Sequence, residues 1–462
     1  MFKTHRKRPL LSLIVLLALV CTLLTVPTFA ASGDVRIEMT IGETDYTLNG
    51  TAKTVDSAPY INADGYTMVP IRFLGEAIGA NVEWSPSART ATIVYDDVTV
   101  VFAIGATVMT INNTEKTIPA PAVIQNDRTM IPLRTAAEAI GAIVTYDKDT
   151  VTFTKADTLT VSNFDQLQQA VVSSASTIMV KDFDATGETT TKLVIQRPLV
   201  LDGNGANVDF GFEILSNGVT VKNFNVTISE FDKAVSAMKN GKKVGGDCIA
   251  VEIHNDNTGD PVIISGMTIV HDVFQNNNSA IYLADGAYVH ILNNNITVEN
   301  KENNSRERGG IYIGSGTSGK IIGNTIDSAR TGFPMSPMGL TANLDALTEE
   351  IPMPDLEIKD NTVESIYVTK MYTNGALFGD DGGIKEDDSD FGVREALSDF
   401  LVALEKNNAF TTKEGYPKEG EDRFVTCRLD LIYAGKPASE WNIFFDVEDG
   451  KLVRTISVEA EA

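Results

Sequence analysis

The chain has 462 residues, with 38 Lys and Arg against 62 Asp and Glu and a formal net charge of −24 at pH 7. Such an acidic chain is a poor partner for nucleic acids and for anionic lipid surfaces, because like charges repel. We therefore expect no nucleic-acid partner. The length suits roughly three domains of ordinary size.

Residues 1–30 have the composition of a secretory signal peptide. Four basic residues come first, residues 10–24 form an apolar segment too short to span a bilayer comfortably, and small residues precede Ala31. We expect cleavage before Ala31, a secreted or cell-surface protein, and no membrane span after cleavage. The mature chain would keep 34 basic residues against 62 acidic ones. It would also keep only Cys248 and Cys427, so a disulfide framework is not indicated.

A sequence repeat divides residues 35–155 into two halves. The segment TMVPIRFLGEAIGA at 67–80 matches TMIPLRTAAEAIGA at 129–142. Each copy predicts a strand, a Pro at the start of a helix, two helical turns and a Gly at the helix end. These residues resemble the copper amine oxidase N-terminal-like domain, also called the stalk domain. The resemblance implies an α+β domain of two repeats.

The family name suggests copper, but the residues do not. No His lies between His5 and His254, and no Cys lies between Cys21 and Cys248. A copper site would lack its usual imidazole and thiolate ligands, so we expect no metal here. The sequence also repeats an Arg and a Glu four residues apart, and we interpret them as ion pairs within each helix or to the sheet; they are Arg72 with Glu76 and Arg134 with Glu138.

Residues 193–366 repeat an eight-residue motif, called the phrase below: apolar, any, β-branched, any, Asn/Gly/Asp, any, Asn/Thr, Ile/Val. The alternation predicts strands with one buried face, and Asn, Gly and Asp favour a left-handed corner. Stacked copies would place the β-branched residues on one another, as in a parallel β-helix. An antiparallel sandwich remains an alternative, although it does not require a corner in fixed register. The aligned β-branched residues are Val221, Ile264, Ile291, Ile321 and Ile358.

An amphipathic helix precedes the first repeat. In FDQLQQAVV at 164–172, the residues Leu167, Ala170 and Val171 share one helical face, and LDGNG follows at 201–205. A capping helix followed by this turn resembles the pectate-lyase-like right-handed β-helix superfamily. The resemblance implies a β-helix over 158–370, in a superfamily whose enzymes cleave acidic polysaccharides.

Residues 375–462 predict a small α+β domain. An acidic, Gly-rich segment at 379–390 reads as a linker, with Ca²⁺ binding as an alternative although the spacing of its carboxylates lacks the usual Ca²⁺ loop pattern. A helix at 391–410 and three antiparallel strands follow. The expected fold class is mainly β: a right-handed parallel β-helix with an N-terminal α+β stalk-type domain and a small C-terminal α+β domain.

Evidence for catalysis in the sequence is sparse. The fragment GDCIAV at 246–251 resembles the polygalacturonase family, but Gly246 stands where a second Asp is needed and the companion motifs are missing. Asp247 therefore remains a weak catalytic candidate. Arg306 and Arg308 could act as a base or contact a glycan from a loop. The histidines at 254, 271 and 290 lack the close spacing of metal ligands, so we expect neither a metal site nor a bound cofactor.

These observations favour a secreted bacterial cell-envelope protein without catalytic activity. The β-helix would bind or display the protein at an extracellular polysaccharide or cell-wall polymer. Two alternatives stay open: a polysaccharide lyase or glycoside hydrolase, and a structural spacer without a ligand.

Overall fold

The structure is a computed structural model, and it is mainly β. It describes residues 34–184, 192–229, 238–239, 242–243, 249–272, 279–299, 309–335, 340–341, 353–373, 392–393, 395–416, 424–433, 436–449 and 451–459. Within these ranges, no helix is long and apolar enough to cross a membrane. The helices are α1 (Ile71–Ile78), α2 (Leu133–Ala139), α3 (Phe164–Val172) and α4 (Glu395–Lys406).

The N-terminal domain contains three antiparallel sheets. One five-stranded sheet has the order Ile143–Asp147, Thr150–Lys155, Val35–Thr40, Asp45–Leu48, Thr51–Thr54. The other five-stranded sheet has the order Thr114–Thr117, Val108–Ile111, Val98–Ala103, Thr90–Tyr95, Asn81–Ser85. The four-stranded sheet has the order Val123–Gln125, Arg128–Pro132, Thr67–Pro70, Tyr60–Ile61.

The two repeats of this domain are related by a local twofold axis. In the four-stranded sheet, Val69 pairs with Ile131, its own equivalent in the other repeat. Each helix follows directly after a Pro, and Gly79 and Gly141 at the helix ends have left-handed φ values of 77° and 74°. The predicted strand, Pro, helix and Gly order is therefore confirmed in both copies.

The Arg and Glu residues of the two helices do not pair within either helix, so that part of the expectation was wrong. Arg134 Nη2 lies 3.5 Å from Asp165 Oδ2 on α3 instead. Glu138 forms the helix-to-sheet type of pair, 3.5 Å from Lys116 Nζ. Within the described ranges, Arg72 forms no ion pair.

From Thr158 onward the chain winds into three parallel sheets, which we number in the order in which each coil passes through them. Sheet I has the strands Leu193–Ile195, Phe212–Ile214, Val251–Ile253, Ser279–Leu283, Gly309–Ile313, Thr331–Met335, Tyr367–Thr373, Phe424–Tyr433, Lys436–Glu448 and Lys451–Glu459, the last two added antiparallel. Sheet II has Thr158–Asn163, Thr177–Asp184, Leu199–Asp202, Val219–Lys222, Val262–Ser265, Tyr288–Leu292, Ser318–Ile322 and Asp355–Lys359. Sheet III has Asn207–Val208, Asn225–Ser229, Thr268–Asp272, Asn295–Val298, Thr325–Ser328, Thr362–Ser365 and Ala409–Thr412. Two short antiparallel strand pairs lie outside these sheets: Met238–Lys239 with Lys242–Lys243, and Leu340–Thr341 with Gly392–Val393.

The interior of the β-helix carries the predicted ladder. Sheet II places the β-branched residues in direct parallel register from coil to coil, and each is at most 5% exposed. Stacked apolar side chains of this kind hold one coil on the next. The parallel register excludes the antiparallel sandwich. The ladder runs through Val221, Ile264, Ile291, Ile321 and Ile358.

The corner between sheets II and III has the predicted left-handed backbone. Its residues have φ values between 54° and 70°; they are Asn223, Gly266, Asn293, Gly323 and Asp360. Asn and Gly adopt this conformation at low cost. The Asn/Gly/Asp position of the phrase is thus explained by the turn that it makes.

The position after this corner holds a ladder of buried asparagines that the sequence did not predict. Asn324 Nδ2 donates to Asn361 Oδ1 at 2.9 Å and to the Ile291 carbonyl at 2.9 Å. Its Oδ1 accepts from the backbone N and the Nδ2 of Asn294, both at 2.9 Å. The ladder continues to Asn408. These amides satisfy the backbone groups that each corner leaves unpaired inside the stack.

Helices cover both ends of the β-helix core. At the start, α3 buries Leu167, Ala170 and Val171, the face predicted from the sequence. At the other end, α4 buries Leu401 and Leu404 in the same core. The C-terminal segment has the predicted helix and antiparallel strands, and it also extends sheets I and III. The predicted acidic linker lies outside the described residues.

Candidate functional site

The outer face of sheet I carries a row of large polar and aromatic side chains. On each strand, the row residue lies between two buried neighbours, so its side chain faces outward. Parallel pairing aligns the row residues directly from coil to coil. The row runs through Glu213, Glu252, Tyr282 and Tyr312.

Two tyrosines form the aromatic part of this row. The rings of Tyr282 and Tyr312 are stacked, with centroids 4.8 Å apart and planes 5° from parallel. His254 continues the ring surface, with its centroid 6.1 Å from that of Tyr282. The two stacked rings are held rigidly, because each ring is supported by its neighbour and by its strand.

A charged cluster adjoins the tyrosines. Glu252 forms an ion pair with Lys192, and its Oε1 lies 2.7 Å from His254 Nε2. The Glu252 side chain is only 13% exposed. Burial alone would raise the pKa of this carboxyl, but the hydrogen bonds and charges of Lys192 and His254 outweigh burial and hold the pKa below its ordinary value. Glu252 is therefore an anchored carboxylate.

Glu213 and Glu252 are direct neighbours across two strands of sheet I. Neighbouring strands lie about 4.8 Å apart, and paired carboxylates at short separation occur in glycoside hydrolases. In those enzymes the general acid has a raised pKa, whereas the pKa of Glu252 is lowered. The row therefore suits ligand binding better than acid catalysis by Glu252.

The three catalytic candidates, Asp247, Arg306 and Arg308, lie outside the described residues. In the sequence, Asp247 comes shortly before the sheet I strand Val251–Ile253, and Arg308 directly precedes Gly309–Ile313. Both strands contribute to the row. The chain therefore connects all three candidates to the same sheet, although the structure places none of them.

The three histidines do not converge. His254 follows a sheet I strand, His271 lies in a sheet III strand, and His290 lies in a sheet II strand. In the described parts of the chain, no group of three or more His, Cys, Asp or Glu residues could hold a metal ion. Only His254 belongs to the site, through its contact with Glu252.

Sequence reasoning missed the row, although a signal for the tyrosines was present. The fragments AIYL at 280–283 and GIYI at 310–313 are 30 residues apart, the same spacing as between Ile291 and Ile321 in the ladder. Equal spacing places both tyrosines at one position of successive coils. No comparable signal connects Lys192 with Glu252, because the two residues are 60 positions apart in the chain.

Comparisons with known proteins identify only the N-terminal domain. A family model of the copper amine oxidase N-terminal domain matches residues 47–155, which confirms the resemblance for that part of the chain. No curated protein and no solved structure matches the chain. Residues 47–155 contain neither His nor Cys, so their donor atoms do not fit a copper ion.

Proposed function

We propose that the protein is exported to the bacterial cell envelope and binds a glycan or cell-wall polymer along the outer face of sheet I. The observation that carries this proposal is the stacked pair Tyr282 and Tyr312 beside the anchored carboxylate of Glu252. Binding sites commonly combine aromatic surface with a few fixed polar groups.

The row has the shape that an extended polymer needs. It crosses the coils, so it runs along the axis of the β-helix, and an extended chain would lie across several strands. The ring edges and hydroxyl groups of the two stacked tyrosines can contact a sugar ring. The carboxylate of Glu252 can accept hydrogen bonds from hydroxyl or amide groups of the ligand, and its position is fixed in advance, which lowers the cost of binding.

Charge favours a neutral polymer over a polyanion. The chain has a net charge of −24, and the row itself contains Glu213 and Glu252. A polyanionic glycan would be repelled at low ionic strength. The expected ligand is therefore a neutral or weakly charged polysaccharide.

Binding can be tested by retention on insoluble cell-wall polysaccharide, with the dissociation constant obtained from depletion isotherms. Truncation of Tyr282 or Tyr312 to Ala removes an aromatic contact of about 0.5–1.5 kcal/mol, which corresponds to about a twofold to tenfold loss of affinity. Tyr288→Ala is the matched control, because Tyr288 faces outward on sheet II. Equal losses from Tyr282→Ala and Tyr288→Ala would argue against the sheet I site.

Export is supported by the tripartite composition of residues 1–30. N-terminal sequencing of protein recovered from the culture medium or the cell surface should begin near Ala31. Recovery of a chain that still begins with Met1 would contradict the proposed cleavage.

A second candidate function is cleavage of a polysaccharide, and the pairing of Glu213 with Glu252 is the observation that favours it. New reducing ends would report hydrolysis, and ultraviolet absorbance of unsaturated products would report a lyase, with and without Ca²⁺. Hydrolysis lost in Glu213→Gln and Glu252→Gln would establish the paired carboxylates. Hydrolysis lost only in Asp247→Asn would assign it to Asp247, and lyase activity lost in Arg306→Ala or Arg308→Ala would assign it to the preceding loop. Absence of both turnover and retention would favour a spacer.

A further inference from the structure

The stalk domain presents the same edge twice. After α1 the chain forms the edge strand Asn81–Ser85, and after α2 it forms the edge strand Ile143–Asp147. The two strands occupy equivalent places in the two repeats, each at the end of a five-stranded sheet. One of these edges is covered by a helix, whereas no helix or strand of the described residues covers the other, which we call the open edge.

At the covered edge, α3 docks through two side chains one turn apart. Gln169 Oε1 accepts the backbone N–H of Val144 at 3.1 Å, in a buried hydrogen bond. Asp165 Oδ2 lies 3.5 Å from Arg134 Nη2 and accepts from Gln169 Nε2 at 3.0 Å. The Arg134 guanidinium also lies 5.4 Å from the centroid of the Tyr146 ring. The edge thus recognises a carboxylate and an amide at positions i and i+4 of a helix.

The glycine after each helix shows the same contrast. A Cβ on Gly141 would lie 2.6 Å from Ser174 Cβ, and the Gly141 carbonyl accepts the Ser174 N–H at 2.9 Å. Gly79 has the same left-handed φ, but nothing lies within 4 Å of a Cβ built on it. Ser174, which follows α3, therefore packs against Gly141, whereas no described residue occupies the equivalent place beside Gly79.

The open edge has residues equivalent to those that contact α3 at the covered edge. Val82, Arg72 and Trp84 stand at the positions of Val144, Arg134 and Tyr146. They line a cavity of about 330 Å³, together with Ile124. Trp84 is 40% exposed and Ile124 is 47% exposed. Arg72 forms no close ion pair among the described residues, although its charge helps to lower the pKa of Asp56.

We propose that this open edge binds a helix of another polypeptide, one that carries a carboxylate in its first turn and a glutamine one turn later. The cap helix α3 has this chemistry and occupies the equivalent edge. Elsewhere in the chain no Gln follows an acidic residue at a spacing of four, so the occupant comes from outside the chain. The proposal does not depend on the glycan site.

One difference between the edges sets the expected strength of binding. Ile143 is 3% exposed and belongs to the core of the β-helix, whereas its equivalent, Asn81, is exposed and donates to Glu83 Oε1 at 2.9 Å. The open edge therefore lacks one apolar contact of the covered edge. A helix bound there gains less burial and has no covalent tether, so binding is reversible.

Trp84 provides a reporter for this site, because the chain contains only two tryptophans. The probe is a lactam-stapled peptide with the sequence of residues 163–173, its helicity verified by circular dichroism, added to the full chain carrying Trp441→Phe. We expect a saturable change in Trp84 emission. Arg72→Glu should weaken the apparent affinity at least tenfold, and Ile124→Ala should weaken it less. Arg89→Glu, an exposed residue that does not line the cavity, is the charge-matched control.

A charge exchange separates binding at this edge from binding elsewhere. A peptide with Asp165→Lys should not bind the protein with native Arg72, and it should regain affinity for the Arg72→Glu protein. If a helical peptide caused no saturable change in Trp84 emission, the proposal would be overturned. Equal affinity for the Arg72→Glu protein and its parent would also overturn it.

Discussion

On the sheet II strand Tyr288–Leu292, alternate residues have opposite surroundings. Val289 and Ile291 point into the β-helix and are fully buried. His290, between them, faces outward, beside Lys320 of the next coil and 5.8 Å from the Tyr288 ring. The inner residues repeat from coil to coil, whereas the outer residues differ at almost every coil.

This difference has a physical origin. An inner side chain must fit the coils above and below it, which limits it to residues of similar shape and polarity. An outer side chain meets solvent on one side and can change without loss of stability. Residues that bind a ligand can therefore accumulate on the outer face, and the sheet I row with Tyr282 and Tyr312 lies there.

The largest expected effect comes from placing a charge on the inner face. Ile291→Asp would bury a carboxylate between the fully buried apolar side chains of Ile264 and Ile321. Burial of an unpaired charge costs several kcal/mol, a large share of the roughly 5–15 kcal/mol by which a domain is stable. Urea denaturation monitored by circular dichroism would measure the loss.

His290→Asp is the matched control for that substitution. It introduces the same side chain one residue away, facing outward next to Lys320, and should change the free energy of unfolding by less than about 0.5 kcal/mol. Comparable losses for the two variants would show that the assignment of inner and outer faces is wrong.

A smaller effect is expected from the buried asparagine ladder. Asn324→Leu keeps a similar volume but removes the donors to Ile291 and Asn361 and the acceptor for Asn294. Unsatisfied buried groups cost about 1–3 kcal/mol each, partly relieved by relaxation, so we expect a loss of about 2–3 kcal/mol. Asn295→Ala, exposed on the outer face of sheet III, should cost less than about 0.5 kcal/mol. If Asn324→Leu left the free energy of unfolding unchanged, the ladder would contribute little to stability.

The sequence was sufficient for the ladder and the corners, because both follow from local periodicity. Ile264, Ile291 and Ile321 could be aligned by the phrase alone, and Asn293 and Gly323 identified the left-handed corner. The position after the corner was written as variable, since it holds Phe224 and Met267 before the asparagines begin. The buried amides could not be recognised until the coils were stacked.

Contacts between distant segments were the part that the sequence could not provide. Arg134 was expected to form an ion pair within its helix, with Glu138, or to the sheet, but its carboxylate partner is Asp165 on the cap helix. Glu252 is anchored by Lys192, which is 60 residues earlier in the chain. Both contacts depend on how separate elements pack together, and residue spacing contains no information about that.

The smallest expected effect tests the anchored carboxylate on the outer face through its pH dependence. Lys192 and His254 lower the pKa of Glu252 in the folded state, with Glu213 as its like-charged neighbour in the row. A lowered pKa contributes stability at pH values above the unfolded pKa, near 4.5, and this contribution is lost as the pH falls through the folded pKa.

Glu252→Gln should therefore lower the Tm at pH 7 by about 2–4 °C, the effect of roughly 1 kcal/mol in a domain of this size. The difference from the parent protein should be fully present above about pH 4.5 and should shrink as the pH falls further below that value. Repeating the series in a Lys192→Met background should shrink the difference at pH 7, because the main cationic partner is gone. A difference that grows as the pH falls would show that Glu252 is not held as a carboxylate, and it would remove the main argument against Glu252 acting as a general acid.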